Sequence, residues 1–239
     1  MLMRGDLHIH STASDGSLSP RQIIKLAKSR GVDTIAISDH NSVDGIAEAS
    51  EAGKEYGISV IPAVELSTRF NDESIHILGY FRTKKFNSTD FEQILNLVKT
   101  HRAHRLRKVL GGYRKHQTFN KYLSSSEGIY ILRAFGAAVV LAHPVRISDK
   151  NFLSLLSMPF DGIEAKYCCS NDYYTNFFIN LALKRFSFYT GGSDFHTNKV
   201  SDHKHSLIGE PYLESTEIQR FLKNSGALIL GSSINGKII

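Results

Sequence analysis

The chain has almost no cysteine. Its only two, Cys168 and Cys169, are neighbours within 239 residues. Adjacent cysteines make a poor disulfide framework, so the expected compartment is the reducing cytoplasm. Their scarcity also argues against a structural zinc site built on thiolates. Long apolar runs are missing too, and none approaches the roughly 20 residues needed to span a bilayer. The longest candidate, Ala134 to Ala142, is interrupted by Gly136 and reads as a buried strand with its approach. The opening residues lack a signal-peptide pattern, because Arg4 and Asp6 lead directly into a strand. There is no internal repeat and no low-complexity tract. Acidic residues are absent between Glu92 and Glu127, where Lys99, Arg102, Arg105, Arg107, Lys108, Arg114, Lys115 and Lys121 all fall. Those cations outnumber the formal net charge of +6, so the rest of the chain is net acidic and the positive field is local. Such a field suits an anionic partner or substrate, although a solvated helix face is at least as common.

What is present is ordinary for a soluble globular protein with a sizeable core: 41% hydrophobic and 22% charged residues. The length suits one (β/α) barrel, or a large domain with a small insertion. After a first strand, Ser19-Pro20 reads as an N-cap with proline at the first helical position, and Gly31 stops that helix. Thr34–Ile37 is a compact buried strand. A helix over about Val43 to Tyr56 follows, then a strand from Ser59 to Leu66 and an alternating strand from Ser74 to Phe81. Further strands are expected over 137–142, 161–166 and 186–191, with helices over about 172–184 and 216–224. The strand–helix alternation implies parallel pairing and right-handed crossovers. The stretch at about 87–135 looks wholly helical. It is expected to be an insertion over one mouth of the barrel, broken at Gly111-Gly112.

Asp6 to Gly16 opens as a strand, in which His8 and His10 share one face while Leu7 and Ile9 take the other. A His-x-His alone is weak evidence for a metal site. The other strand ends change the weighting: Asp15, His40, Glu65, His76, His143, Asp194 and His196 all fall where parallel α/β folds gather functional side chains. Each alone has a bland explanation as a core or surface residue. Together they are too many titratable groups to share one cavity without compensation. Divalent cations are the natural compensation, and mixed His, Asp and Glu ligation suits zinc, manganese or iron better than calcium or magnesium. Nine ligands exceed the needs of one ion, whereas a cluster of two or three fits.

The motifs Asp-Leu-His-Ile-His with Ser-Asp-Gly downstream, Ser-Asp-His-Asn, Pro-Ala-Val-Glu, His-Ile-Leu-Gly-Tyr, Leu-Ala-His-Pro and Gly-Gly-Ser-Asp-Phe-His occur in that order from Asp6 to His196. In this the chain resembles the polymerase and histidinol phosphatase (PHP) superfamily of metal-dependent phosphoesterases. Within it, the chain most resembles the branch of nucleoside 3',5'-bisphosphate phosphatases and 5'-3' exoribonucleases. The resemblance implies a single PHP domain over 1–239, folded as a distorted (β/α)7 barrel and holding three metal ions. It implies that His8, His10, Glu65 and Asp194 hold the first ion. Glu65 would bridge to a second, completed by His76 and His143, and Asp15, His40 and His196 would hold the third. Asp39 is expected to orient a ligand, with helix capping as an equal alternative. Against the nucleotide-directed branch, the helical insertion is short.

The implied reaction is hydrolysis of phosphomonoesters, on nucleotides or short oligonucleotide ends, by a metal-activated hydroxide that Asp194 would orient. A histidinol-phosphate-type phosphatase acting on a small metabolite is the alternative. A different class is a nucleic-acid-binding module with structural metals, distinguishable by a steep salt dependence. Neither a membrane nor an obligate protein partner is expected. Extending the apolar face of Phe91, Ile94, Leu95 and Val98 at about 100° per residue puts Arg102 and Arg105 on the core side and Arg107 opposite. Arg102 and Arg105, with Arg146, are therefore candidates to grip a substrate phosphate, against salt bridges elsewhere in the fold. His203-x-His205 lies outside the ordered motifs and is read as surface. Tyr167, Cys168, Cys169 and Tyr173 are read chiefly as core packing, with the lining of a pocket near the end of the sixth strand as the alternative.

Overall fold

The alternating and apolar runs form eight strands: β1 Arg4–Ile9, β2 Thr34–Ile37, β3 Ser59–Phe70, β4 Glu73–Phe81, β5 Ala137–Leu141, β6 Gly162–Tyr167, β7 Phe188–Gly192 and β8 Leu213–Glu214. The helices are α1 Pro20–Ser29, α2 Gly45–Tyr56, α3 Thr89–Lys99, α4 Ala103–Val109, α5 Ser125–Ala134, α6 Asp149–Leu156, α7 Asp172–Arg185 and α8 Ser215–Ser225. This computed structural model describes residues 2–109, 121–168, 170–199, 201–202 and 204–231. The expected break at Gly111-Gly112 lies outside the described residues, as do Cys169 and His203.

The strands make one sheet in the order β7-β6-β5-β4-β3-β2-β1-β8. The sheet curls until β7 meets β1. Phe195, just beyond β7, bridges Ile9, and the His10 N–H donates to the Phe195 carbonyl at 2.9 Å. The result is a nearly closed α/β barrel. Pairing is parallel for β1–β2, β2–β3, β5–β6 and β6–β7. It is antiparallel on both sides of β4, and β8 is a short antiparallel addition to β1. The expectation of uniform parallel pairing is corrected there. Phe70 pairs with Glu73 across a loop of Asn71 and Asp72, and Asn71 takes φ 52°. A connection that short can join only antiparallel neighbours. β3 consequently runs on to Phe70 and Glu65 stands inside it, not at its end.

Local chemistry explains the elements that read clearly. Ser19 caps α1 in a capping box with Gln22, and Pro20 starts the helix. Ile23, Ile24 and Ala27 of α1, with Ala49 and Ala52 of α2, pack on Ile9, Ile35, Ile37 and Val60 outside the barrel. Those outward side chains leave Asp6, His8 and His10 on the inner face of β1.

The described parts of the helical stretch lie against β3, β4 and β5. Phe91 of α3 packs on Phe81 and Phe135, and Ile94, Leu95 and Val98 are buried beside it. The helix then stops at Lys99. The chain turns at His101, with φ 54°, and α4 starts at Ala103 in a new direction. The face extrapolated from Phe91 to Val98 therefore does not continue through Arg102 and Arg105, and both are exposed. Arg107 is the inward one. Its guanidinium donates to both Glu127 carboxylate oxygens, at 2.5 and 2.8 Å, and to the Tyr122 carbonyl at 2.9 Å. Glu127 also completes the capping box of α5 with Ser124. Glu127→Ala should remove the cap and the two hydrogen bonds that Arg107 makes to this carboxylate, a cost of about 2 kcal/mol. For a chain of this size that lowers the melting temperature by roughly 4–8 °C, readable by circular dichroism. No helix among the described residues is long and apolar enough to cross a membrane.

Candidate metal centre

Each side chain of the centre is set by a strand or by the turn just past it. His8 lies in β1 and His10 one residue beyond it. His40 follows β2, Glu65 and His76 face each other's strands in the β3–β4 hairpin, His143 follows β5, and Asp194 and His196 follow β7. Asp15 arrives on a loop that doubles back so tightly that a Cβ on Gly16 would lie 2.3 Å from the His10 carbonyl oxygen. Asp39 holds that loop: its carboxylate accepts from the Ser11 N–H and hydroxyl, both at 2.7 Å, and from the Ser14 hydroxyl at 2.5 Å. It does not cap α2, whose N-cap is Asp44. Three residues in or beside the centre adopt left-handed backbone: Asn41 (φ 49°), His143 (φ 28°) and Asp194 (φ 51°). Such conformations cost of order 1–3 kcal/mol each and persist where neighbours enforce them. Asn41 is enforced by Ser67, whose hydroxyl accepts from Asn41 Nδ2 and whose N–H donates to Asn41 Oδ1.

Glu65 is the hub. Its Oε2 lies 3.3 Å from His8 Nε2, 3.2 Å from His10 Nε2 and 3.0 Å from His40 Nδ1. Its Oε1 lies 3.2 Å from His76 Nδ1 and 3.1 Å from His143 Nε2. Asp194 Oδ1 faces His8 and His10 at 3.4 and 3.2 Å. Asp15, 55% exposed, reaches His196 Nε2 at 3.4 Å and His10 Nδ1 at 3.6 Å, which marks the open side. Donor atoms therefore converge in overlapping groups, each within 4.8 Å: His8, His10, Glu65 and Asp194; His40, Glu65 and His76; His10, Asp15, His40 and His196. All nine residues picked out at strand ends come together.

Close as they are, most of these atoms do not hydrogen-bond. His8 Nε2, both nitrogens of His10, His40 Nδ1 and Glu65 Oε2 are buried without a hydrogen-bond partner. Orphaned buried polar atoms are costly in a native protein unless something else satisfies them. Five such atoms aimed at one another, from imidazoles and a carboxylate, fit divalent cations.

Burial alone would raise the carboxyls of Glu65 and Asp194, but the imidazoles around them outweigh it and hold both well below the usual carboxylate range. Asp15 is lowered in the same way by His196, His40 and His10. Burial opposes protonation of His8 and His10, yet Glu164, Glu65 and Asp194 raise His8 well above its ordinary value. Asp194 and Glu65 raise His10 to about 9. Burial, with His10 and His76 nearby, pushes His40 down to about 4. Without metal, then, His10 favours the fold through its proton. That contribution is complete below the ordinary imidazole value of 6.5 and is lost as pH rises through 9. A chelated sample should melt at a lower temperature at pH 9.5 than at pH 6.5. Metal-loaded protein should not follow, because ligation needs the neutral imidazole.

Four residues outside the nine also serve the centre. Glu164, fully buried in β6, accepts from His8 Nδ1 at 2.9 Å and from the His143 N–H at 2.7 Å. The carboxylate of Asp6 accepts from the backbone of His8, Ser193 and Gly209 and from the Ser193 hydroxyl, and burial raises it to about 6. Tyr167 donates to Asp194 Oδ2 at 2.8 Å, so it serves the centre and not only the core. His205 is not a surface residue, as its position outside the motifs suggests, but lies beside Asp194 and His196. A charged residue inside an apolar strand is the available signal for Glu164. Of the three arginines, only Arg146 reaches the centre, 3.7 Å from Asp194 Oδ2 and over the Tyr167 ring. Arg102 and Arg105 make no side-chain contact with it.

Known proteins extend this picture. A stretch of 79 residues is 48% identical to a 5'-3' exoribonuclease of Haemophilus influenzae, covering 33% of this chain and 29% of that protein. Another of 74 residues is 39% identical to a 3',5'-nucleoside bisphosphate phosphatase of Chromobacterium violaceum, covering 31% of this chain and 26% of that protein. The chain thus spans under a third of the length of these curated relatives. Among solved structures, an amidohydrolase from Chromobacterium violaceum with bound sulfate and no metal superposes with a TM-score of 0.74 at 20% identity, covering 97% of this chain and 99% of that one. That likeness is one of fold. The PHP domain family model matches residues 6–179, which is most of the chain. By that match, on a barrel whose strand ends converge on these histidines and carboxylates, the chain belongs to the PHP domain family.

Proposed function

We propose that the chain is a metal-dependent phosphoesterase that hydrolyses phosphomonoesters, acting on nucleotides such as nucleoside bisphosphates or on short oligonucleotide ends. The observation that carries this is the set of five buried, unpartnered donor atoms around Glu65. His8, His10, Glu65 and Asp194 would hold one divalent ion, Glu65, His76 and His143 a second, and Asp15, His40 and His196 a third. Zinc, manganese or iron at these positions would neutralise phosphoryl oxygens and lower the pKa of water at the site.

The chain's own residues do the rest. Glu164 fixes the ring of His8 by taking its Nδ1 hydrogen, leaving Nε2 for the ion. Tyr167 donates to Asp194 Oδ2, so Asp194 Oδ1 is the oxygen turned inward, where it would align the attacking nucleophile. Asp39 pins the loop that carries Asp15 at the edge of the centre. Arg146 is the cation best placed to take a phosphate oxygen, at the outer edge of Asp194. Arg102 and Arg105, exposed on and beside α4, would act only on a substrate long enough to reach them.

Metal analysis of the purified protein, with a phosphate-release screen over nucleotides, nucleoside bisphosphates, sugar phosphates and short RNA, tests the reading. Bound transition metal and turnover of a nucleotide or an RNA end are expected. Turnover confined to a sugar or amino-alcohol phosphate would transfer the assignment to a small-metabolite phosphatase. Absence of both metal and turnover would defeat it. Salt-sensitive RNA binding without turnover would instead indicate a binding module.

A further inference from the structure

His205 lies in the segment after β7, outside the nine strand-end residues, and its side chain is only 18% exposed. The ring stacks on His196 with centroids 4.0 Å apart and planes at 25°, and His196 in turn stacks on His10 at 4.2 Å. Its Nδ1 is 2.9 Å from Asp202 Oδ2, and its Nε2 is 3.9 Å from Asp194 Oδ2. One donor atom each from Asp194, His196 and His205 lies within 4.8 Å of the other two. Among the described residues this is the one such group that draws on a residue beyond the nine.

Each part of this arrangement is what a cation position needs. A carboxylate taking the Nδ1 hydrogen of an imidazole fixes the tautomer and turns the Nε2 lone pair outward, the common outer partner of a metal-bound histidine. Asp202 stands in that relation to His205. Asp194 has an oxygen to offer on that side. Its Oδ2 accepts a hydrogen bond from Tyr167 and pairs with Arg146 Nη1 only at 3.7 Å, too long for a hydrogen bond, so a second lone pair remains for an ion that displaces the guanidinium. His196 donates from Nδ1 to the Asp194 carbonyl at 2.7 Å, so its Nε2 is the nitrogen available to an ion. Ligand atoms bound at ~2.0–2.2 Å to one ion sit at most about 4.4 Å apart, and small side-chain rotations cover the difference.

We propose that His205 is a metal ligand, set by Asp202, and that with Asp194 and His196 it forms a further cation position at the outer edge of the centre. The proposal rests on the phosphoesterase reading in one respect, that the centre holds metal at all. Because the one free nitrogen of His196 serves one ion at a time, the position competes with the ion beside Asp15 for that ligand. An ion bound there changes the set of ligands left for the ion beside Asp15.

Cobalt(II) binding by the full chain tests this, with calorimetry for affinity and stoichiometry and visible absorption for ligand geometry. Wild type, His205→Ala and Asp202→Asn are stripped with chelator, checked for equal melting temperatures, and titrated. His205→Ala is expected to lose one binding event, or to weaken it at least tenfold, with an altered visible spectrum. Asp202→Asn, which keeps the imidazole and its packing, should weaken the same event by ~10-fold or more. Isotherms and spectra identical to wild type for either variant would overturn the assignment. Should His205→Ala fail to fold, Asp202→Asn decides alone. A wild-type protein that takes up no cobalt would bring down the phosphoesterase reading as well, so the two failures are distinguishable.

Discussion

Glu65→Ala should abolish phosphate release, lowering kcat/KM by ~10³-fold or more, which corresponds to about 4 kcal/mol of transition-state stabilisation. The size of the expected effect follows from the position of this one side chain. Its two oxygens stand within 3.0–3.3 Å of nitrogens from His8, His10, His40, His76 and His143. It is shared between two of the converging donor groups, so its loss disturbs both. In the metal-free protein it is also one of the counter-charges, with Glu164 and Asp194, that favour protonation of the buried His8 and His10. The variant should therefore bind fewer ions and melt at a lower temperature in chelator at neutral pH. Colorimetric phosphate release and metal analysis on the same preparation check both arms. A Glu65→Ala protein that retains its metal and more than a tenth of its turnover would show that the chemistry lies elsewhere.

Gly192→Ala is expected to have the largest effect on stability. A Cβ there would lie 2.5 Å from the His8 nitrogen, 2.6 Å from the His8 Cβ and 2.8 Å from Asp6 Oδ1. The first two belong to the body of β1 and the third to a carboxylate pinned by four hydrogen bonds, so none can swing aside. The methyl group would force β7 away from β1 at the line where the barrel closes, at a cost of about 3 kcal/mol. That is a fall in melting temperature of roughly 6–12 °C. Because His8 and Asp194 stand on opposite sides of that line, metal affinity should fall with stability. A melting temperature within a degree of wild type would mean that β7 and β1 do not meet so closely.

Much of the fold and of the centre is legible from residues alone, and the exceptions have physical causes. Thr34–Ile37 can be delimited because Gly31 and the polar run from Ser38 flank a β-branched and apolar Thr-Ile-Ala-Ile run. α1 can be placed because Ser19, Pro20 and Gln22 make a self-contained cap. The side chains that gather around Glu65 can be named because polar residues at successive strand ends have no other shared reason to be there. The reversal of β4 is hidden because alternation marks a strand and not its direction, and the helix–strand rhythm outweighs the two-residue turn at Asn71 and Asp72. The turn at His101 is hidden for a different reason: no glycine or proline announces it, and helical periodicity carries across it. That is why Arg107, not Arg102 or Arg105, faces inward. Glu164 and Asp6 escape notice because a carboxylate inside a strand reveals its partner only when the partner strand is known. His205 escapes because its approach to Asp194 depends on how the segment after β7 folds back, which no local pattern encodes.

The hairpin of β3 and β4 has a consequence for how the protein comes into being. Glu65 and His76 are joined by a short connection, and such hairpins close in microseconds. The other donors come from far apart along the chain: His8 and His10 are synthesised long before Asp194 and His196. Contacts between sequence-distant segments form late, after most of the entropy of loop closure has been overcome. The hairpin would therefore be a half-site available early, while the full grouping around Glu65 needs the last barrel strand in place. On the ribosome, this hairpin would expose one carboxylate and one imidazole, too few to capture an ion firmly. Metal choice would thus fall to the finished protein, where the ions free in its surroundings, and not those met during translation, would decide which metal it takes.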